Sequence, residues 1–313
     1  MRVYGRVAVG ILSCFSALVL LAHEGPEHEI EELTERMASH GESADLLLER
    51  AIEYRVLGKL KEAMSDLERA SKLAPGTAML QRELGRVQFS IGKTNDAMRT
   101  VDRAIKLPDV EPQELASLHV LRSEFLTARK EYTKALADCS EAIRLHPSNA
   151  DWYLQRSALQ KTLDRPKDRL AGIEDGIRET GAGVLEIERV EAMLDDRQWE
   201  EALKRIEVEI EASRLKASWL IRRARAKSGL DRDEDAKADL RAALEEIGAR
   251  MVPGSKDVSL LLDRASAHEL LGEKEEALHY YGAAQDAGAD DSVKAKIKAL
   301  KAKPSAEEGD KED

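Results

Sequence analysis

The sequence predicts an all-α protein made of stacked helix–turn–helix repeats, and three observations carry that prediction. A marker position, alanine in all but one case, recurs at Ala63, Ala97, Ala135, Arg169, Ala202, Ala236 and Ala277, with spacings of 34, 38, 34, 33, 34 and 41 residues. Within a period, apolar residues fall at helical spacing. In the stretch Glu131–Ser157, for example, Ala135, Leu136, Cys139, Ala142 and Ile143 line one face of an α-helix. Turn residues separate the runs: Gly58, Gly92 and Gly272 stand five places before the marker, and Pro75 and Pro147 close periods because proline cannot continue a helix.

Composition agrees. Of 313 residues, 35% are charged and only 4% aromatic, which suits charged helix surfaces over small aliphatic contacts. The formal net charge of −11 disfavours nucleic acid and anionic membrane surfaces as partners. The two cysteines are Cys14, in an apolar run, and Cys139, on a predicted core face, so no disulfide is expected.

Taken in order, residues 1–22 read as a secretory signal peptide. Arg2 and Arg6 precede an uncharged run from Val7 to Ala22, and an acidic stretch follows. Cleavage after Ala22 would export the chain to a periplasmic or secreted location. The alternatives are an uncleaved membrane anchor and a lipid on Cys14. Residues 23–43 form an acidic leader and an N-terminal capping helix, with Ile30, Leu33 and Met37 as its apolar stripe.

Residues 44–290 carry seven repeats. Seven places after each marker stand Ala70, Ala104, Ala142, Gly176, Glu209, Ala243 and Ala284, and twelve places before it Ala51, Gly85, Ser123, Ser157, Val190, Ala224 and Ala265. Small residues at these points let helix backbones approach where they cross. The two long spacings hold extra loop residues, Pro108–Pro112 and Met251–Ser255. Repeats four and five are degenerate at Arg169, Gly176, Val190 and Glu209, so looser packing or a bend is expected there. Ser148 and Asn149 can cap the helix after Pro147. Residues 291–302 read as a C-terminal capping helix started by Asp291 and Ser292, with Val293, Ile297 and Leu300 inward, and residues 303–313 as a disordered charged tail.

This pattern resembles the tetratricopeptide repeat, in which small residues in the first helix and two alanines in the second recur with a period near 34; Tyr54, Tyr132 and Trp199 match its aromatic positions. The resemblance implies a right-handed α-solenoid with capping helices at both ends and a concave groove, lined by the first helix of each repeat, that binds a protein or peptide segment. Carried over, one row of the groove is Leu48, Arg82, Val120, Leu154, Ile187, Ile221 and Leu262. The next contains Ile52, Arg86 and Arg225, with Phe89 and Arg222 adjacent. The apolar members suit aliphatic side chains of a partner, and Arg82 with Arg86, and Arg222 with Arg225, could each receive a carboxylate. Some members of the family grip a C-terminal carboxylate in their first repeats; Leu48 and Ile52 occupy those places here, which speaks against that clamp.

No catalytic pattern emerges: there is no HxxxH or HExxH pair, no GxGxxG and no phosphate-binding loop. The expectation is a non-enzymatic scaffold or adaptor with no cofactor and no small-molecule substrate, touching a membrane only if the N-terminal segment is retained or lipidated. A competing reading makes it a copper-handling protein. Cleavage would leave His23 at the terminus, where its amine and imidazole could chelate a divalent metal with His28 nearby.

Overall fold

The computed structural model describes residues 25–252 and 254–302, and among these it holds sixteen α-helices and no strand. The expected signal peptide, His23 and the charged tail lie outside the described residues. The chain forms two compact units that divide between Phe125 and Leu126.

The first unit opens with α1 (Pro26–His40), which buries Leu33 and Met37. The pairs α2/α3 (Ala44–Val56, Leu60–Leu73) and α4/α5 (Ala78–Ser90, Thr94–Ala104) follow, then most of α6 (Pro112–Ala128). Ser43 caps α2 by accepting from the Leu46 N–H. The small residues sit where helices cross: Ala51, Ala63 and Ala70 are buried together with Leu47, Leu67 and Leu80. Gly85 marks the closest approach, since a Cβ there would lie 2.7 Å from Val101 Cγ2 on α5.

The second unit holds α7 (Tyr132–Leu145) and the pairs α8/α9 (Ala150–Thr162, Pro166–Thr180), α10/α11 (Gly183–Asp195, Trp199–Ala212), α12/α13 (Ala217–Ser228, Asp233–Arg250) and α14/α15 (Val258–Leu271, Lys274–Asp286), then α16 (Asp291–Ala302). Asn149 caps α8 through the Asp151 N–H. At α16 the capping group is not Asp291 or Ser292 but Asp290, whose carboxylate accepts from the Ser292 N–H at 2.7 Å. Val293 and Leu300 bury against Ala277 and Tyr281, and Lys296 reaches the Tyr281 hydroxyl at 3.1 Å.

The looser packing expected at repeats four and five is present: α8/α9, and above all α10/α11, meet over a smaller contact than α2/α3, α4/α5, α12/α13 and α14/α15 do. Arg169 replaces alanine, yet its side chain is only 5% exposed. Its guanidinium donates to Ser157 Oγ at 2.8 Å, Glu188 at 2.6 Å and Asp195 at 2.8 Å. Gly176 replaces a second alanine because Tyr153 needs the room: a Cβ would lie 2.7 Å from its ring and 2.9 Å from Leu185. At Arg169 and Gly176 themselves, polar and aromatic groups fill the places where other repeats use alanine.

Every intra-repeat turn has one geometry. The residue five before the marker adopts the left-handed conformation in all seven: Gly58, Gly92, Lys130, Asp164, Arg197, Asp231 and Gly272. The next N–H in each case donates to a carbonyl five residues back, for example Lys59 to Tyr54 at 2.8 Å and Gln198 to Met193 at 2.9 Å. The left-handed residue's own N–H donates three residues back, as in Gly58 to Arg55 at 3.0 Å. This double bond satisfies carbonyls that the ending helix leaves open. Sequence marked only the three glycines.

Candidate functional site

In the first unit the first helices of the repeats are α2, α4 and α6. Of the predicted groove residues here, Leu48 and Val120 are buried, while Ile52 is half-buried beside the α2 core. Phe89 stacks on Phe125 with ring centroids 4.4 Å apart, so it also belongs to the packing between α4 and α6. Arg82 and Arg86 do come together, but around a carboxylate that sequence reading missed. Glu83 is buried and takes Arg55 at 3.1 Å and Arg82 and Arg86 at 3.4 Å. Arg82 further binds Glu114 on α6 at 2.6 Å. Burial pushes the Glu114 carboxyl up even with Arg82 beside it.

In the second unit these helices are α8, α10, α12 and α14. Ile221 is buried, Leu154 and Leu262 are half-buried, and Ile187 is 36% exposed next to the exposed Val184. Arg222 and Arg225 converge on one carboxylate, Glu191 of α10, at 2.9 and 2.6 Å. The Arg222 guanidinium also lies over the Trp219 ring at 5.4 Å. Lys161 and Arg169 meet Asp195 at 2.6 and 2.8 Å. The arginines singled out as carboxylate receivers therefore already hold carboxylates of this chain.

No family model matches the chain. A solved tetratricopeptide repeat protein from Parabacteroides merdae superposes with a TM-score of 0.58 at 17% identity, covering 88% of this chain and 99% of that one. The chain has the tetratricopeptide repeat fold. Yeast Tom70 is similar at TM-score 0.55 and 17% identity over 88% of this chain, which spans 58% of Tom70. PilF of Pseudomonas aeruginosa is similar at TM-score 0.52 and 16% identity, over 74% of this chain and 97% of PilF. At such identities the likeness concerns the fold.

Within the tetratricopeptide repeat frame, two sets of polar contacts escaped sequence reading. One links neighbouring repeats: Arg82–Glu114, Lys161–Asp195 and Arg225–Glu191 join residues 32, 34 and 34 apart, about one period. The other links the two helices of one repeat. Arg50 grips Asp66 with two bonds of 2.7 and 2.9 Å, Arg223 grips Asp239, and Arg156 donates to the Gly172 carbonyl at 2.8 Å. The signal was present, since arginine recurs thirteen before the marker at Arg50, Arg122, Arg156, Arg189, Arg223 and Arg264.

His28 lies on α1, and among the described residues no group of three or more His, Cys, Asp or Glu side chains is placed to hold a metal ion. Cys139 is buried, donates to the Trp152 carbonyl, and has its thiol pushed up to about 12 by burial. That removes the thiolate needed for nucleophilic chemistry. No helix among the described residues is long and apolar enough to cross a membrane.

Proposed function

We propose that this protein is an exported, non-catalytic adaptor that binds a protein or peptide segment along the faces of the first helices of its repeats. The observation carrying this reading is that each unit leaves aliphatic side chains on those faces at least partly open to solvent beside fixed ion pairs: Ile52, half-buried, in the first, and Ile187, exposed, with the half-buried Leu154 and Leu262 in the second. Rigid helices hold these side chains in place before a partner arrives, which lowers the entropic cost of binding. Mixed aliphatic and polar lining suits an extended or helical peptide better than a small substrate.

Site-specific photocrosslinking tests the binding face. A benzophenone side chain at Ile52 or Ile187 should capture a defined partner in the native host, and one at Lys237, on the exposed face of α13, should not. Capture from Lys237 alone would move binding to another surface. The mass of the protein isolated from its host tests export. A chain beginning at His23 supports it, whereas a retained Met1 or a lipid on Cys14 would replace it with membrane attachment.

A further inference from the structure

The charge ledger of these faces points to the chemistry of the partner. In the first unit Arg82 and Arg86 are committed to Glu83 and Glu114, yet Glu124 of α6 makes no hydrogen bond or ion pair among the described residues. Arg86 influences it only from a distance. In the second unit the same imbalance recurs. Arg222 is committed to Glu191, and Asp263 of α14, half-buried next to Leu262, has no hydrogen bond or ion pair among the described residues. In both places the cations are satisfied from within and a carboxylate is left over. Burial pushes the carboxyl of half-buried Asp263 up, with Arg222 and Arg250 offsetting only part of it; the Glu124 carboxyl is raised in the same direction, while its residue stands exposed on α6 and open to an arriving cation.

We propose that the face of each unit, taken by itself, receives a partner segment combining aliphatic and cationic side chains, with a lysine or arginine seated on Glu124 in the first unit and, separately, on Asp263 in the second. The proposal rests on the interaction role above and specifies its chemistry. A cation arriving at either carboxylate pairs a charge left without a partner, at Asp263 one that burial also disfavours, and the stem of lysine or arginine covers aliphatic neighbours such as Leu262. An acidic segment would meet the opposite situation: it would be repelled by these carboxylates and would have to break the bonds of Arg82 or Arg225 to find a cation.

A random peptide library displayed on phage and panned on the full chain tests this. The best binder is then labelled and its Kd measured against wild type, Asp263→Asn, Glu124→Gln and the control Glu234→Gln, which changes an exposed acid of α13. Melting curves establish that the variants fold, and neither test substitution removes a hydrogen bond. Enriched peptides should carry Lys or Arg beside Leu, Ile or Val, and Asp263→Asn or Glu124→Gln should weaken binding about tenfold. Peptides rich in Asp or Glu, or a Kd unchanged in both test variants, overturn the proposal. So does an equal loss in Glu234→Gln, which would mean general attraction to an acidic chain. A library that yields no binder overturns the interaction role itself.

Discussion

Arg223 holds Asp239 through two parallel bonds, Nε at 2.8 Å and Nη2 at 2.7 Å, and so ties α12 to α13 across one repeat. Asp239 is buried and also meets Lys227 at 2.7 Å. The bond to Asp239 raises the Arg223 pKa further. Asp239→Ala would leave two cations without their shared anion and should cost about 3 kcal/mol in chemical denaturation. Replacing the cluster together, Arg223→Met and Lys227→Met with Asp239→Leu, should recover most of that loss, because the buried charge then goes with both of its partners.

The left-handed turns predict a gain. Lys130 and Arg197 hold a conformation that their Cβ disfavours, at φ of 62 and 59°. Lys130→Gly and Arg197→Gly should each stabilise by about 0.5–1 kcal/mol, after allowing for the extra freedom glycine gives the unfolded chain. Asp164→Gly and Asp231→Gly should gain less, since aspartate tolerates this conformation better. Thermal melts of the four variants check the order.

Gly176 predicts the reverse of what the repeat pattern suggests. Alanine occupies this place in five of the seven repeats, so Gly176→Ala looks like a repair. Its Cβ would press on Tyr153 and Leu185, and the variant should lose about 1–3 kcal/mol. Adding Tyr153→Leu should offset part of that overpacking loss, which a double-mutant cycle would register.

The carboxylates predict opposite responses to acid. Burial raises the Asp195 pKa, but hydrogen bonds from Lys161 and Arg169 overcome it and the net shift is downward. Its contribution to stability is present above the unfolded value and is lost as pH falls through the folded one. Burial raises the Asp263 pKa and Arg222 offsets only part of it. Its charge therefore costs stability at neutral pH, a cost absent below the unfolded value and fully present above the folded one. Asp263→Asn should raise Tm at pH 7 and leave it unchanged near pH 3, whereas Asp195→Asn should lower Tm at pH 7 and converge with wild type in acid.

Cys139 should resist alkylation in the native state. Burial disfavours its thiolate more strongly than nearby Arg156 favours it. Iodoacetamide followed by peptide mapping should label Cys139 at least about a hundredfold faster in denaturant than in buffer.

The helices, their phase and the places where they touch were legible from the order of residues alone. Those properties are local or periodic. An alanine such as Ala63, Ala135 or Ala243 is there because two backbones cross, and all three are fully buried. Which charges are spent depends on packing between helices far apart in the chain. Arg82 and Arg225 read in sequence as free cations because their anions, Glu114 and Glu191, lie a whole repeat away on neighbouring helices. The same distance hid the three partners that let Arg169 sit at a buried alanine position. The turns at Lys130, Asp164, Arg197 and Asp231 were equally illegible. Helix packing on either side fixes their left-handed backbone, and the residue type there does not. Periodicity locates the faces of this protein; the pairing of side chains across repeats decides what charge those faces still have to offer.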